Sequence, residues 1–230
     1  MTVDFHSHIL PRMDDGSHSV EESLAMLRLS WSQGIRQMIL TPQFYPQHTT
    51  PQRFLEKRNR SVELLREGIQ GEDALPLLRC GAEVYFYPQM SHSDALRELT
   101  IQGTNCLLVE MPFGPWTDRM YAELEGIYNN LGLVPIVAHV DRYLGRFRDY
   151  GIPGRLADLP VLVQANAECF LKGSRGMKLL ASHQIHLLGS DCHNMTDRKP
   201  NLGPALEQIE RKLGKDALKW VRANERRVLG

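Results

Sequence analysis

The chain has 230 residues, with 27 Lys and Arg against 27 Asp and Glu, 42% hydrophobic residues and 7% aromatic ones. That is enough chain for one domain with its own core, and the balanced charge excludes the broad basic footprint of a non-specific nucleic-acid binder. No run of 18 apolar residues is available for membrane insertion, the first ten residues lack a basic leader, and the four cysteines form no CxxC pair, so a reducing, cytoplasmic setting is expected.

The first apolar run, 2–5, reads as a strand. A helix follows, with Ser19 as N-cap and Glu22 three residues on, and with Val20, Leu24, Leu27 and Trp31 at helical spacing. Gly34 ends it and 35–40 reads as the next strand. Thr50-Pro51 opens a second helix carrying Leu55, Val62, Leu65 and Ile69. A strand over 77–83, a short helix near 93–99 and a strand over 106–110 come next, then a helix over 118–131 with Met120, Leu124, Ile127 and Leu131 on one face. Further strands are expected at 134–139, 161–166 and 185–190, and helices at 204–213 and 216–221. About seven strands, each followed by a helix or helical turn, imply a parallel sheet covered by helices. The length suits a seven-stranded barrel, and an open doubly wound sheet is the alternative that pattern leaves standing.

Polar residues fall at one end of nearly every expected strand. His6 and His8 follow the first, Glu83 ends the third, Glu110 the fourth and His139 the fifth, and Asp191 and His193 follow the seventh. In a parallel sheet these residues converge at the carboxyl face, where α/β enzymes place their chemistry. Buried carboxylates are expensive unless they are paired or hold a cation. Imidazoles mixed with carboxylates, and no thiolate cluster, favour manganese, iron, zinc or magnesium, and more than four such groups suggest two or three ions.

The string His6-Ser7-His8-Ile9-Leu10-Pro11, then Asp14-Asp15-Gly16 and Glu21-Glu22-Ser23, resembles the opening of the bacterial manganese-dependent tyrosine-protein phosphatases, a branch of the PHP (polymerase and histidinol phosphatase) superfamily associated with capsule and exopolysaccharide operons. The match continues at Thr41-Pro42, Gly81-Ala82-Glu83, Leu108-Val109-Glu110, Ala138-His139, Arg142-Tyr143, Gln164-x-Asn166 and Gly189-Ser190-Asp191-x-His193-Asn194. The resemblance implies a single domain over residues 1–230, a distorted (β/α)7 barrel with C-terminal helices, and a cluster of up to three Mn²⁺, for which Fe, Zn or Mg could substitute. By position, His6, His8, Glu83 and Asp191 resemble the ligands of one ion. Glu83, Glu110 and His139 resemble those of the second, and Asp14 and His193 those of the third. Arg142 resembles the arginine that holds the phosphate. The implied substrate is a phosphotyrosine protein, a bacterial tyrosine kinase of capsular or exopolysaccharide synthesis being the expected partner, with homo-oligomer formation left open and no nucleic acid or membrane insertion.

Gln43 departs from this pattern, since the family usually places a metal-binding histidine there, and it weakens the third site. Such parts suit in-line attack by metal-bound hydroxide, with Arg142 gripping two phosphoryl oxygens and Asp14, His193 or a metal-held water protonating the leaving group. Among the aromatics beyond the strand ends, Phe86 and Trp116 are candidates to wall a phosphotyrosine slot. Three rivals are a small-molecule phosphoesterase such as a histidinol-phosphatase, a non-catalytic regulatory module with a degenerate site, and a cysteine phosphatase. The last rests on two C-x5-R matches, Cys169 with Arg175 and Cys192 with Arg198, neither spanning a glycine-rich loop.

Overall fold

The computed structural model describes residues 2–144 and 151–230. Every strand pairing within them is parallel, in two groups ordered β1-β2-β4 and β3-β5-β6-β7-β8-β9. The strands are β1 (Val3–Ser7), β2 (Gln37–Leu40), β3 (Gln43–Phe44), β4 (Leu77–Cys80), β5 (Glu83–Tyr85), β6 (Cys106–Glu110), β7 (Val134–Val137), β8 (Leu162–Asn166) and β9 (Leu187–Gly189). Two expected strands are each divided. The second splits at Thr41-Pro42 into β2 and β3, and the third at Gly81-Ala82 into β4 and β5. Because β2 pairs with β4 and β3 with β5, these are two staves that bend together from one sheet into the other. The bend keeps its hydrogen bonds: Gly81 N donates to Leu40 O at 2.8 Å and Glu83 N to Pro42 O at 3.0 Å. Seven staves thus form a curled parallel sheet. Its ends, β9 and β1, meet with only an isolated bridge, Ser7 to Cys192, among the described residues.

The helices are α1 (Val20–Ser32), α2 (Pro51–Gly68), α3 (Asp118–Leu131), α4 (Val140–Tyr143), α5 (Ile152–Ala157), α6 (Glu168–Lys172), α7 (Arg175–Ala181), α8 (Leu202–Leu213) and α9 (Lys215–Leu229). The segment expected to be a short helix near 93–99 is a pair of 3-10 turns, Met90–His92 and Asp94–Leu99. Ser19 caps α1 by accepting from Glu22 N, while the Glu22 carboxylate reaches back to His18 N. The buried side of α1 is Ser23, Met26, Leu27 and Ser30, rotated from the expected stripe. Two serines sit inside because their hydroxyls are satisfied, Ser23 Oγ on Ile9 O at 2.6 Å and Ser30 Oγ on Met26 O at 2.9 Å.

Alternate residues along the strands divide between two apolar clusters. Leu107, Val109 and Val137 join the large cluster beneath the helices, whereas Leu108, Ile136, Leu162 and Leu187 join Val3, Phe5 and Val228 of α9 in the barrel interior. Val228 and the Glu225 carboxyl, which accepts from Val3 N, seat α9 across the amino ends of the strands. The carboxyl ends are left for polar groups. No helix among the described residues is long and apolar enough to cross a membrane.

Candidate metal centre

The side chains at the carboxyl ends close on one another beneath the surface. His6, His8 and His139 are essentially inaccessible, and Glu83, Glu110 and Asp191 are buried with them. Glu83 opens β5, the second half of a bent stave, and does not end a strand as expected. It pairs there with Leu108, which brings it beside Glu110 at the end of β6.

Partners behind the imidazoles fix which nitrogen faces inward. His8 Nδ1 lies 2.8 Å from Asp14 Oδ2, and His6 Nδ1 lies 3.4 Å from Gln164 Oε1. Both partners are acceptors, so each Nδ1 carries the proton and each Nε2 presents a lone pair. Those two Nε2 atoms stand 3.1 Å apart. Around them are Glu83 Oε1, 3.3 Å from His6, Glu83 Oε2, 3.4 Å from His8, and Asp191 Oδ1 at 3.6 and 3.4 Å. Lone pairs and carboxylates converging in a buried space need a cation among them, so this donor set fits a metal ion.

A second group shares Glu83. His139 Nε2 is 2.9 Å from Glu83 Oε1 and 3.6 Å from Glu110 Oε1. Burial alone would raise the pKa of Glu83; positive charge on the His6 and His139 side, carried by the imidazolium forms or by an ion that their lone pairs would hold, keeps it well below the carboxylate range. Glu110 is raised, by burial and then by the charge of Glu83. Tyr45 donates its hydroxyl to Glu110 Oε2 at 3.2 Å.

The third group differs from expectation. His193 Nε2 is 3.3 Å from Asp15 Oδ1, and His8, Asp15 and His193 lie close enough to hold an ion. Asp14 instead grips the His8 ring and accepts from Gly16 N at 3.0 Å and Gln43 N at 2.9 Å. His8 already spends one nitrogen on Asp14 and the other on the first group, which leaves the third with Asp15, half immersed in solvent, and His193.

Two arginines converge on Asp191 Oδ2. Arg142 Nη2 forms a close ion pair with it, Arg198 Nη2 lies 2.8 Å away, and Asn166 Nδ2 donates to the same oxygen at 2.8 Å. Sequence reasoning found Arg142 and missed Arg198, which it read only as the end of a chance C-x5-R match. It also passed over Asp15. Gln164 and Asn166 were visible as a motif without a role, and they prove to orient His6 and Asp191. Trp116 is turned inward, its Nε1 donating to Pro112 O and its ring against Tyr121 and Tyr143. Phe86 is half-buried against the main cluster. Cys192 is buried with its thiol pushed well up by burial, and Cys169 in α6 is shifted the same way, so neither is a poised thiolate.

The family profile for capsular polysaccharide synthesis, CpsB/CapC, matches residues 2–229. The chain belongs to that family. It is 28% identical over 227 residues to the tyrosine-protein phosphatase CpsB of Streptococcus agalactiae, spanning 93% of this chain and 92% of the relative. It is 26% identical to CpsB of Streptococcus pneumoniae over 99% of this chain and 98% of the relative, and 28% identical to the tyrosine-protein phosphatase YwqE of Bacillus subtilis over 93% and 86%. A crystal structure from work on YwqE and CpsB, described as unique metal-dependent tyrosine phosphatases, shares the fold with a TM-score of 0.85 at 23% identity, covering 99% of this chain and 94% of that one.

Proposed function

We propose that this member of the CpsB/CapC family is a metal-dependent protein-tyrosine phosphatase, a single metallophosphatase domain acting on a phosphotyrosyl protein of capsule synthesis, a tyrosine kinase foremost. The observation that carries the reading is the pair of ligand groups joined through Glu83, overlooked by two arginines. His6, His8, Glu83 and Asp191 would hold one Mn²⁺, and Glu83, Glu110 and His139 a second. The Asp15–His193 pair is too poor in donors to hold a third as firmly. When bound, the ions supply Lewis acidity toward the phosphoryl oxygens and an activated water at neutral pH.

The chain's own groups do the rest. Arg142 and Arg198, about a third exposed where their ion-pair partner Asp191 is buried, swing from that carboxylate to grip the phosphoryl oxygens. His193 Nδ1 faces the Asp191 carbonyl at 2.9 Å and carries a proton there. Its Nε2, beside Asp15, holds the proton passed to the departing tyrosyl oxygen, and Asp15 stabilises the imidazolium. A phenolate leaving group, with pKa about 10, asks little of that acid. Phe86 offers a half-open wall for the ring, and Trp116 supports Tyr143 behind Arg142.

Phosphate release from a phosphotyrosine peptide, with Mn²⁺ or excess EDTA and with phosphoserine peptide and histidinol phosphate in parallel, tests the proposal. The expected result is Mn²⁺-dependent turnover that prefers phosphotyrosine and stops in EDTA. Turnover that survives EDTA, or that is confined to histidinol phosphate, overturns it.

A further inference from the structure

Asp4 is the second residue of β1 and is 1% exposed. Among the described residues no cationic side chain forms an ion pair with it. Its Oδ1 accepts two backbone N–H groups, from His6 at 3.2 Å and from Ser190 at 2.8 Å, and its Oδ2 has no hydrogen-bond partner among the described residues. A carboxylate so placed is expensive, and an apolar residue would fill the space without that cost.

Its position accounts for it. The seam between β9 and β1 is the one junction of neighbouring staves where the described residues show an isolated bridge and no continuous ladder. Backbone groups at such a seam need other acceptors. Asp4 Oδ1 ties the amide of His6 to that of Ser190, and Asp191 N donates to His6 O at 2.8 Å across the same gap. The next side chains along are His6 and Asp191, whose Nε2 and Oδ1 stand 3.6 Å apart in the first ligand group. Gly189 shows independently how tight the seam is: a Cβ there would lie 2.5 Å from His6 Cβ and 2.9 Å from His6 N.

We infer that Asp4 is a positioning residue for the metal centre, a side-chain clasp that extends the short β1–β9 bridge and sets the spacing between His6 and Asp191. The inference rests on the metal reading above and extends it to a group that touches neither ion nor substrate.

Mn²⁺ titration calorimetry on the full chain, combined with amide hydrogen exchange at His6 and Ser190, tests it. Asp4→Ala, checked for folding by circular dichroism, is expected to bind Mn²⁺ about 10–100-fold more weakly and to expose both amides. Asp4→Asn keeps an oxygen that can accept the same two N–H groups and is expected to stay within about threefold of wild type, a rescue that a purely electrostatic role would not give. Where Asp4→Ala fails to fold, Gly189→Ala opens the same seam with Asp4 intact and is expected to show the same weakening. A folded Asp4→Ala protein, or a Gly189→Ala protein, with wild-type Mn²⁺ affinity overturns the inference, as does an Asp4→Asn protein as weak as Asp4→Ala. Binding is read without substrate, so a wild-type protein that binds Mn²⁺ but releases no phosphate breaks the phosphatase reading alone. A wild-type protein that binds no Mn²⁺ breaks both.

Discussion

The two ends of the barrel solve opposite problems with the same strands. Through the interior and down to the amino ends, Ile136, Leu162, Leu187 and Val3 join Val228 of α9 in one apolar cluster. At the carboxyl ends, three imidazoles and three carboxylates share a space from which water is largely excluded. Two of these residues, His139 with φ 32° and Asp191 with φ 53°, hold left-handed backbone conformations that side chains disfavour. Such positions cost on the order of 1–3 kcal/mol each and persist only where the surroundings over-determine them. Stability is drawn from the floor and from the helix layer, and it is spent in placing charges at the mouth.

Changes at the mouth should therefore abolish activity without unfolding the chain. The largest effect is expected from Glu83→Gln, which removes the charge shared by both ligand groups. A fall in kcat/KM of about 1000-fold or more, with Mn²⁺ binding weakened in calorimetry, is the expected outcome. Near-normal turnover in that variant would separate the two groups and end the joined-site description. Arg142→Ala comes next, with an expected loss of about 100-fold, the scale of one preorganised donor to a developing anion. Arg198→Ala should lose a comparable amount, and an Arg198→Ala protein with full activity would return that residue to a structural role on Asp191.

Much of the mouth is legible in the sequence because most of its imidazoles and carboxylates lie at or just beyond the end of an apolar run, and parallel topology then sends them to one end. His6-x-His8 and Asp191-x-His193 needed nothing more than that. The bends at Thr41-Pro42 and Gly81-Ala82 were hidden, since a stave that changes sheets still reads as one apolar run. The choice between Asp14 and Asp15 was hidden too. A turn in which Gly16 N bonds Asp14 Oδ1 points the first carboxylate at His8 and the second at His193, and adjacent identical residues carry no pattern that says which is which. Arg198 reaches Asp191 along a loop, and loops have no period. The buried side of α1 escaped because Ser23 and Ser30 are polar by composition yet satisfied in place.

The floor should show the reverse behaviour, starting with the buried carboxyl of Glu225. Burial pushes Glu225 up to about 7 from an ordinary 4.5, with Arg222 and Arg226 only partly opposing that shift. The folded state thus holds a proton between about pH 4.5 and 7 that the unfolded chain has released. Folding stability then falls as pH rises through that window. Glu225→Gln is expected to raise Tm at pH 8 by the equivalent of about 2 kcal/mol, to change it little at pH 4, and to leave turnover alone. An equal gain at both pH values would mean that the carboxyl is not strained by its burial.

The smallest expected effect is the sharpest control on the comparison. Ile136 is fully buried in β7, in register with Leu108 and Leu162, and three residues further on the chain reaches His139. Ile136→Val removes one methylene and should cost about 0.5–1.5 kcal/mol, a Tm lower by about 2–4 °C per kcal/mol for a domain of this size. Because β7 is pinned by ladders on both sides, the shortened side chain leaves a small void and does not move the strand end, so kcat/KM for a phosphotyrosine peptide should stay within about twofold. A tenfold loss of activity with so small a change in Tm would show that interior packing transmits directly to His139. The mouth would then depend on the shape of the floor as well as on its stability.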